Sequence, residues 1–312
     1  MPCFTPLKGY RSREVTKSGK RKIVFNDRAG YKDLPVTVPC GQCTGCRLER
    51  SRQWAIRCFH EASLYENNCF ITLTYSEQFL PADRSVSVRE FQLFMKRLRK
   101  KYGPGIRFFA CGEYGEKFSR PHYHACLFNH DFKDRELFKI QNDNRYYTSE
   151  ELSSIWSDPV SGYPLGHTLI GDVTFQSAAY VARYIMKKIN GEMASDHYEY
   201  VDDLSGEIIN PTPEFITMSR RPGIGKGWLE KYNYEPFQND EVIINGKAVR
   251  PPKYYDRQFE IEQPSSWRRL RARRVINARR HEDNNTPERL RVREKVLNAK
   301  LHKLPRTYEE NQ

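Results

Sequence analysis

The sequence predicts an α+β protein in which helices pack on an antiparallel β-sheet. Two observations lead to this fold class. The predicted elements follow the order strand, helix, two strands, helix, strand, helix, and the two central strands are joined by a short loop, which is typical of a hairpin. We predict three parts: a Cys-rich metal loop with a helix in residues 1–66, a core in residues 67–235, and a linker with a basic helical tail in residues 236–312.

Periodicity and capping residues define each element in turn. The predicted helices cover residues 46–66, the segment after the capping box of Ser87 and Glu90 as far as Gly103, a short segment after Ser149, and a segment from Ser177 to about Ile189. The predicted strands are Cys69–Tyr75, Ile106–Tyr114, His122–Phe128 and Leu169–Phe175. Residues 236–264 are rich in proline and predict loops, and helical stretches follow from Ser265.

Two histidines, His122 and His124, flank one tyrosine in the second hairpin strand. Side chains alternate between the faces of a strand, so both imidazoles project to one side and can share a divalent ion. Glu113 lies on the partner strand, and its carboxylate joins the same face if it pairs with either histidine. This set predicts a catalytic Mg²⁺ or Mn²⁺ site, although zinc would bind as well. A half-exposed strand without a metal would show the same His-aromatic-His pattern.

Two tyrosines, Tyr180 and Tyr184, lie one helical turn apart, and Lys187 follows on the same side of the helix. Ala178 and Val181 belong to a separate apolar arc, so the tyrosines are not needed to fill the core. A divalent ion that polarises a phosphodiester, together with a tyrosine that attacks it, can cut one DNA strand and hold its end. The competing interpretation is that the tyrosines are core residues.

Four cysteines predict a second metal site. Cys40, Cys43 and Cys46 form a C-x₂-C-x₂-C pattern in a glycine-rich turn, where thiolates can fold around one ion. A tetrahedral zinc needs a fourth ligand, for which Cys3 is the candidate. We predict structural Zn²⁺, while an iron–sulfur cluster and a loop without metal remain open.

The net charge of +13 is concentrated at the two ends of the chain. Residues 1–50 contain eleven Lys and Arg against four acidic residues, and residues 264–304 contain thirteen against four. Basic ends of this kind suit a polyanionic partner, although a solvated basic tail would show the same composition. No apolar run approaches the eighteen or so residues that span a bilayer. The predicted DNA-binding residues are Arg268, Arg269, Arg271, Arg273 and Arg274.

Three segments in order carry a resemblance to a known family: Phe70–Tyr75, Arg120–His124, and the pattern from Tyr180 to Lys187. They resemble the motifs of HUH endonucleases (His-hydrophobic-His). More narrowly, residues 1 to 235 resemble the rolling-circle replication initiators of microviruses, in the gokushovirus branch of single-stranded DNA phages. Cys40–Arg47 and Ser219–Gly225 also resemble segments of that family.

The resemblance implies an HUH sheet and a site-specific DNA nickase with joining activity. A tyrosine would form a 5′-phosphotyrosyl link and leave a 3′-hydroxyl for polymerase. Tyr184 and Lys187 match the Tyr-x-x-Lys spacing of single-tyrosine relatives, so Tyr184 would make the first cut and Tyr180 the second, with Lys187 stabilising charge. The implied partners are single-stranded or supercoiled origin DNA and a host helicase and DNA polymerase, in the bacterial cytoplasm and without a membrane.

Two other functions fit parts of the sequence. A plasmid or transposon HUH nickase would share the histidine and tyrosine motifs, but the cysteine loop and the tyrosine pair argue against it. A non-catalytic zinc-containing DNA-binding protein would explain the basic ends and the cysteines, but not the histidine strand and the tyrosine helix.

Overall fold

The structure is a computed structural model that describes residues 3–17, 19–115, 119–141, 144–183, 199–201, 206 and 208–303. Its strands are β1 (Leu7–Val15), β2 (Arg21–Val24), β3 (Gly30–Val38), β4 (Asn68–Thr74), β5 (Arg107–Tyr114), β6 (Pro121–Phe128), β7 (Glu136–Gln141), β8 (Asn144–Thr148), β9 (Thr168–Gly171), β10 (Tyr200–Val201), β11 (Ile208–Ile209), β12 (Phe215–Met218), β13 (Val242–Ile244) and β14 (Lys247–Val249). Its helices are α1 (Thr44–Ala62), α2 (Val88–Tyr102), α3 (Glu150–Ile155), α4 (Phe175–Arg183), α5 (Lys226–Lys231), α6 (Pro236–Asn239), α7 (Lys253–Glu262), α8 (Pro264–Arg279) and α9 (Pro287–His302).

A seven-stranded sheet forms the centre of the fold, in the order β12-β5-β6-β4-β9-β8-β7. Each pair of neighbouring strands in this sheet is antiparallel. The α+β class with an antiparallel sheet and packed helices is therefore confirmed. The described residues also form a three-stranded sheet, β2-β1-β3, and two hairpins, β10-β11 and β13-β14.

One face of the central sheet packs against α2 and α3. The buried residues of α2 recur at the predicted helical spacing, and the ring of Phe91 lies 5.3 Å from that of Phe108 on β5. Half of the predicted capping box is present, because the hydroxyl of Ser87 accepts a hydrogen bond from the backbone N–H of Glu90. The backbone N–H of Ser87 donates to the hydroxyl of Tyr123 at 2.9 Å instead of to the Glu90 side chain. Gly103 ends the helix with a φ of 95°, a conformation that favours glycine.

The opposite face of the sheet packs against α1 and α4 and carries the histidine side chains. Small residues of the helices, among them Ala55 and Ala178, meet Phe70, Phe109 and Cys126 of the strands. Small side chains let a helix approach a sheet closely, and Ala55, Ala178 and Cys126 are fully buried on this face. The sheet therefore separates a large aromatic core from a smaller cluster beside the functional residues.

The predicted strand over Leu169–Phe175 is only partly correct. The strand ends at Gly171, and the tyrosine helix begins at Phe175, two residues before the predicted start. Thr174 and Ser177 cause this difference through reciprocal capping. The Thr174 hydroxyl accepts a hydrogen bond from Ser177 N–H at 3.0 Å, and the Ser177 hydroxyl accepts one from Thr174 N–H at 2.8 Å.

The prediction of loops over residues 236–264 is wrong. This segment contains α6, the β13-β14 hairpin and α7. The prolines before α7 are compatible with a helix because they lie at its start, where Pro252 is the N-cap residue. A proline at a helix start costs no hydrogen bond, since the N–H groups of the first turn have no partner within the helix. Tyr255 and Phe259, four residues apart, form one buried face of this helix.

The described chain divides into two compact units. One contains the described residues of 1–50 and 271–305, including the β2-β1-β3 sheet and the cysteines of the N-terminal loop. The other contains the described residues of 51–270, with the central sheet and both histidines of the candidate metal centre. Among the described residues, no helix combines the length and the apolar character needed to cross a membrane.

Candidate metal centre and active site

The register between β5 and β6 brings the three predicted ligands to one place. Glu113 pairs directly with His122, and Cys111 pairs with His124. Directly paired residues project to the same face of a sheet, so the carboxylate joins both imidazoles. On the other side of β6, Thr72 of β4 pairs with His124.

The three side chains are almost fully buried, with 1% of Glu113, 4% of His122 and 3% of His124 exposed. Oε1 of Glu113 lies 3.2 Å from Nε2 of His122 and 2.9 Å from Nε2 of His124. Among the described residues, no donor is aligned with this oxygen for a hydrogen bond. A buried carboxylate oxygen in that position is costly unless a cation meets it.

The other ring nitrogens of the histidines are held by their surroundings. Nδ1 of His122 lies 3.0 Å from the carbonyl oxygen of Arg120, which can only accept, so this nitrogen donates. Nδ1 of His124 lies 2.9 Å from the hydroxyl of Thr72. The Arg120 carbonyl makes Nδ1 of His122 a donor, so the neutral form of this ring has its electron pair on Nε2. The Thr72 hydroxyl can donate to or accept from Nδ1 of His124. Both Nε2 atoms face the same carboxylate oxygen.

This donor set fits a small divalent cation. Two imidazole nitrogens and a carboxylate oxygen are ligands that Mn²⁺, Mg²⁺ and zinc accept. Adjacent ligands of an octahedral ion at bond lengths of about 2.1 Å are about 3.0 Å apart, which agrees with the two nitrogen–oxygen distances above. Burial raises the pKa of the Glu113 carboxyl, but the neighbouring imidazoles outweigh burial and hold this pKa below its usual value.

Helix α4 places Tyr180 next to this group. The Tyr180 ring packs edge-on against the His124 ring, with centroids 5.1 Å apart, and only 3% of the residue is exposed. The hydroxyl of Ser51 on α1 donates a hydrogen bond to the carbonyl oxygen of Ala179 at 3.1 Å and so fixes the helix. Tyr184 and Lys187, the other predicted catalytic residues, lie outside the described residues.

The four cysteines predicted to share an ion do converge. Their sulfur atoms lie within 4.8 Å of one another, and Cys3 Sγ is 3.6 Å from Cys40 Sγ and 3.9 Å from Cys43 Sγ. Zinc–sulfur bonds of about 2.3 Å in a tetrahedron separate the sulfurs by about 3.8 Å. The thiols are not linked by disulfides, so the group could hold one metal ion.

Hydrogen bonds lower the pKa of two of these cysteines, Cys40 and Cys43. Burial raises the pKa of Cys40, but hydrogen bonds from the Thr5 hydroxyl and from the backbone N–H groups of Cys43 and Gln42 lower it to about 6. Burial also raises the pKa of Cys46, to about 12, and the neighbouring thiols add to this increase. Four crowded thiols cannot all ionise unless a cation balances their charge.

Comparisons with known proteins agree with the motifs. A family model described as replication-associated protein ORF2/G2P matches residues 68–189. The replication-associated protein VP4 of Bdellovibrio phage phiMH2K is 31% identical over 280 residues, which cover 86% of this chain and 80% of that protein. The replication-associated protein ORF2 of Spiroplasma virus 4 is 33% identical over 281 residues, which cover 84% of this chain and 81% of that protein. The chain belongs to the replication-associated proteins of microviruses. A further member, the replication-associated protein ORF4 of Chlamydia phage 1, is 26% identical over 282 residues, or 83% of this chain and 66% of that protein.

No solved structure matches the chain significantly, so the family assignment rests on sequence. The part matched by the family model, residues 68–189, runs from β4 to beyond α4. It contains the carboxylate, both histidines and both predicted tyrosines of this family member. The four clustered cysteines lie before the matched residues.

The predicted DNA-binding arginines lie on helix α8. Arg268, Arg269, Arg271 and Arg273 are exposed, and Arg274 is partly buried. Leu270, between them, is buried against Tyr255 and Phe259. Arg268 and Arg269 therefore belong to a part of α8 that is packed within the larger unit, and not to a loose tail.

Thr72 is the residue of the site to which the sequence assigned no role. It lies in the segment Phe70–Tyr75, which carried the family resemblance. Strand alternation puts Phe70, Thr72 and Thr74 on one face, and that face is the histidine side. Only the pairing of β4 with β6 shows that the hydroxyl of Thr72 meets Nδ1 of His124.

Proposed function

We propose that this microvirus protein is the initiator endonuclease that nicks one DNA strand at the phage origin and later rejoins it. The observation that carries the proposal is the convergence of the Glu113 oxygen and two imidazole nitrogens in a buried group. Within the described part of the chain no aligned donor meets this carboxylate oxygen, and a bound cation would satisfy it. We also propose that the central sheet is an HUH sheet, as the motif order implies.

Glu113, His122 and His124 would hold one Mg²⁺ or Mn²⁺ ion. When bound, the ion would neutralise charge on the phosphate and favour departure of the 3′-oxygen. The carbonyl of Arg120 and the hydroxyl of Thr72 would keep the imidazoles in position for that ligation. The packed faces of α1 and α4 would exclude water from the reacting phosphate on their side.

Tyr184 is the proposed first nucleophile. Its phenolic oxygen would bond to the phosphorus while the bond from phosphorus to the 3′-oxygen breaks. The phenolic proton would end on that 3′-oxygen, which gives a 5′-phosphotyrosyl link and a free 3′-hydroxyl. No water enters the reaction, so the energy of the phosphodiester is retained for rejoining. Lys187 would stabilise the phenolate, which is otherwise scarce because tyrosine titrates near pH 10.

Tyr180 would perform the second, terminating cut. It precedes Tyr184 by four residues in the sequence, and its ring contacts His124. Two nucleophiles allow the enzyme to cut the regenerated origin while it still holds the first end. Release of unit circles depends on that second cut.

Further parts of the chain would support the reaction. Cys3, Cys40, Cys43 and Cys46 would hold a structural Zn²⁺, and Arg268 to Arg274 on α8 would bind DNA phosphates. In this proposal residues 1–66, 67–235 and 236–312 supply the zinc loop, the endonuclease and the basic tail. Unwinding and synthesis would come from a host helicase and polymerase in the bacterial cytoplasm.

The deciding experiment is trapping of the covalent adduct. Single-stranded oligonucleotides tiled over the phage genome are incubated with the protein and Mn²⁺. A label at the 3′ end should become attached to the protein, whereas a label at the 5′ end should appear on a free fragment. Mass spectrometry then locates the modified residue. A variant carrying Tyr180→Phe and Tyr184→Phe should form no adduct, and adduct formation by this variant would refute the mechanism.

A further inference from the structure

A row of side chains crosses four neighbouring strands of the central sheet beside the candidate metal centre. Phe70 on β4 pairs with Gly171 on β9. Tyr147 pairs with Ile170, and by the same antiparallel register Tyr146 lies next to Gly171. Tyr146 also pairs with Lys139 on β7. Across β4, β9, β8 and β7 the row therefore consists of Phe70, Gly171, Tyr146 and Lys139. It lies on the face of the sheet that carries the histidines.

The glycine opens a gap between the two aromatic residues. A Cβ atom at Gly171 would meet only Phe70 Cδ1 at 3.7 Å and the Arg145 carbonyl oxygen at 3.9 Å, which are ordinary contacts. A side chain would therefore fit at this position, and glycine leaves its space open. The gap belongs to a cavity of about 230 Å³. Its lining also includes Asn144, Asp172, Thr174 and Ser177.

This cavity adjoins the candidate metal centre through a single side chain. Phe70 lines the cavity, and its ring stacks on the imidazole of His124 with centroids 5.5 Å apart and planes inclined by 16°. The edge of the Tyr180 ring also meets Phe70, at 6.5 Å. A molecule held in the cavity is thus one aromatic ring away from a proposed ligand of the metal.

We propose that this cavity, the Gly171 gap, is a subsite for one unpaired nucleobase of the DNA strand that is cut. The proposal rests on the proposed function, because the strand is placed by its scissile phosphate at the metal centre. The base next to that phosphate enters the gap and stacks on the aromatic rings of the row, as bases of single strands do in other proteins.

The polar groups around the gap suit base recognition. The side chains of Asn144 and Asp172 supply an amide and a carboxylate at the rim, which are groups that read the edges of bases. The Nζ atom of Lys139 lies 5.4 Å from the centre of the Tyr146 ring, where it meets a phosphate of the same strand. At about 230 Å³ the cavity is below the roughly 300–1,000 Å³ of pockets for drug-sized ligands, so one base fits rather than a longer segment.

Two substitutions test the subsite without changing a metal ligand. Tyr146→Ala removes one stacking surface, and Gly171→Leu fills the gap with a side chain. Phe138→Ala is the matched control, because it removes an exposed aromatic ring from the same β7-β8 hairpin, outside the lining of the gap. The probe is a library of single-stranded DNA with a randomised segment, which is cut in Mn²⁺ and sequenced at the cut junctions.

The wild-type protein and Phe138→Ala should prefer particular bases at one position beside the cut. Tyr146→Ala and Gly171→Leu should lose the preference at that position alone and keep the preferences elsewhere. Retention of the whole preference by both variants overturns the subsite. A uniform loss of cutting with unchanged base preference also overturns it, because the residues would then act on the chemistry.

A binding measurement without metal separates this proposal from the proposed function. Fluorescence anisotropy with dT, dC and dA oligonucleotides in EDTA should show about tenfold weaker binding of the best oligonucleotide by Tyr146→Ala. Gly171→Leu should show the same loss of binding, and Phe138→Ala should bind as the wild type does.

If the wild type never cuts DNA but these binding differences hold, the nuclease proposal fails and the subsite stands. If a free deoxynucleoside monophosphate binds in the gap and oligonucleotide binding is unchanged by Gly171→Leu, the site serves free nucleotides and the proposal is wrong.

Discussion

Replacement of Glu113 by glutamine should separate metal binding from folding. The amide has the shape of the carboxylate but no charge, so packing in the buried site is preserved. In the metal-free protein the carboxylate oxygen lies 2.9 and 3.2 Å from two imidazole nitrogens, which hold the pKa of Glu113 below its usual value. The ionised carboxylate therefore stabilises the fold near neutral pH, and Glu113→Gln should lower the stability of the metal-free protein without opening a cavity. The same substitution removes the only anionic ligand of the group and should weaken Mn²⁺ binding strongly.

The size of the effect follows from mass action. Mn²⁺ at about a hundred times its dissociation constant stabilises the folded wild-type protein by about 2.7 kcal/mol. A chain of this length gains about 2 °C per kcal/mol, so the unfolding midpoint should rise by about 5 °C. Loss of an outer partner of a metal ligand already weakens binding by about 10- to 100-fold. If Glu113→Gln weakens it about 100-fold, the gain falls to about 0.4 kcal/mol and the midpoint shift to less than about 1 °C.

Thermal unfolding of both proteins with and without Mn²⁺ measures this difference. Glu230→Gln is the matched control, because Glu230 is an exposed carboxylate on α5 that pairs with Lys226. This control should keep the full Mn²⁺ shift. An equal Mn²⁺ shift in Glu113→Gln and the wild type would refute the assignment of the metal site. Manganese prefers oxygen and nitrogen to thiolate ligands, so the cysteine cluster should contribute little to the signal.

Three further predictions concern the cysteines, the arginines and the tyrosines. Cys43→Ser should release about one zinc per chain and cause unfolding, because metal binding there contributes to folding; absence of zinc from the purified wild type would exclude this role. Arg268→Gln with Arg269→Gln should lower the slope of log affinity against log salt for single-stranded DNA by about 1.4, and an unchanged slope would mean that neither contacts phosphate. Tyr184→Phe should abolish the first nick in a gel assay, whereas Tyr180→Phe should nick but release few circles; the reverse pattern would exchange their roles.

The central part of the fold could be predicted because its signals are local. Strand alternation, the capping box of Ser87 and the hairpin between β5 and β6 each depend on residues close in sequence. Even the Glu113 pairing follows from the hairpin register, with no long-range information. The sequence-level prediction that this carboxylate faces the histidines is confirmed as geometry, and its role as a ligand stays a prediction.

Other elements could not be predicted because their partners are distant in sequence. Strand β12 joins the sheet edge beside β5, about a hundred residues earlier in the chain, and β7 and β8 extend the opposite edge. Short strands of this kind gain stability from pairing rather than from their own residues. The sheet β2-β1-β3 was missed although its strands are neighbours in sequence, because most of their residues are exposed or half-buried and give no clear alternation of apolar and polar residues. Helix α7 was missed because the prolines before it were interpreted as loop residues.

Burial of Leu270 means that the DNA-binding role of the basic tail cannot be tested by deleting the tail. From the sequence alone, deletion from Ser265 would be expected to remove DNA contacts and nothing else. Leu270, however, packs against Tyr255 and Phe259 in the larger unit. Deletion would expose that cluster and confuse a loss of affinity with a loss of folding. Neutral replacement of the exposed arginines keeps Leu270 in place and isolates the charge.

Burial also limits what can be learned from replacing the two histidines. If His122 and His124 were exposed, replacing both with alanine would change the stability by less than about 1 kcal/mol. They are buried, and each has a fixed partner at Nδ1. Alanine there would leave a cavity and a buried Glu113 carboxylate without its neighbours, a change that costs about 3–5 kcal/mol when a buried pair is broken. Loss of nicking in that variant would not distinguish metal binding from unfolding. The shape-conserving change at Glu113 does make that distinction, because only the charge at the centre of the group is altered.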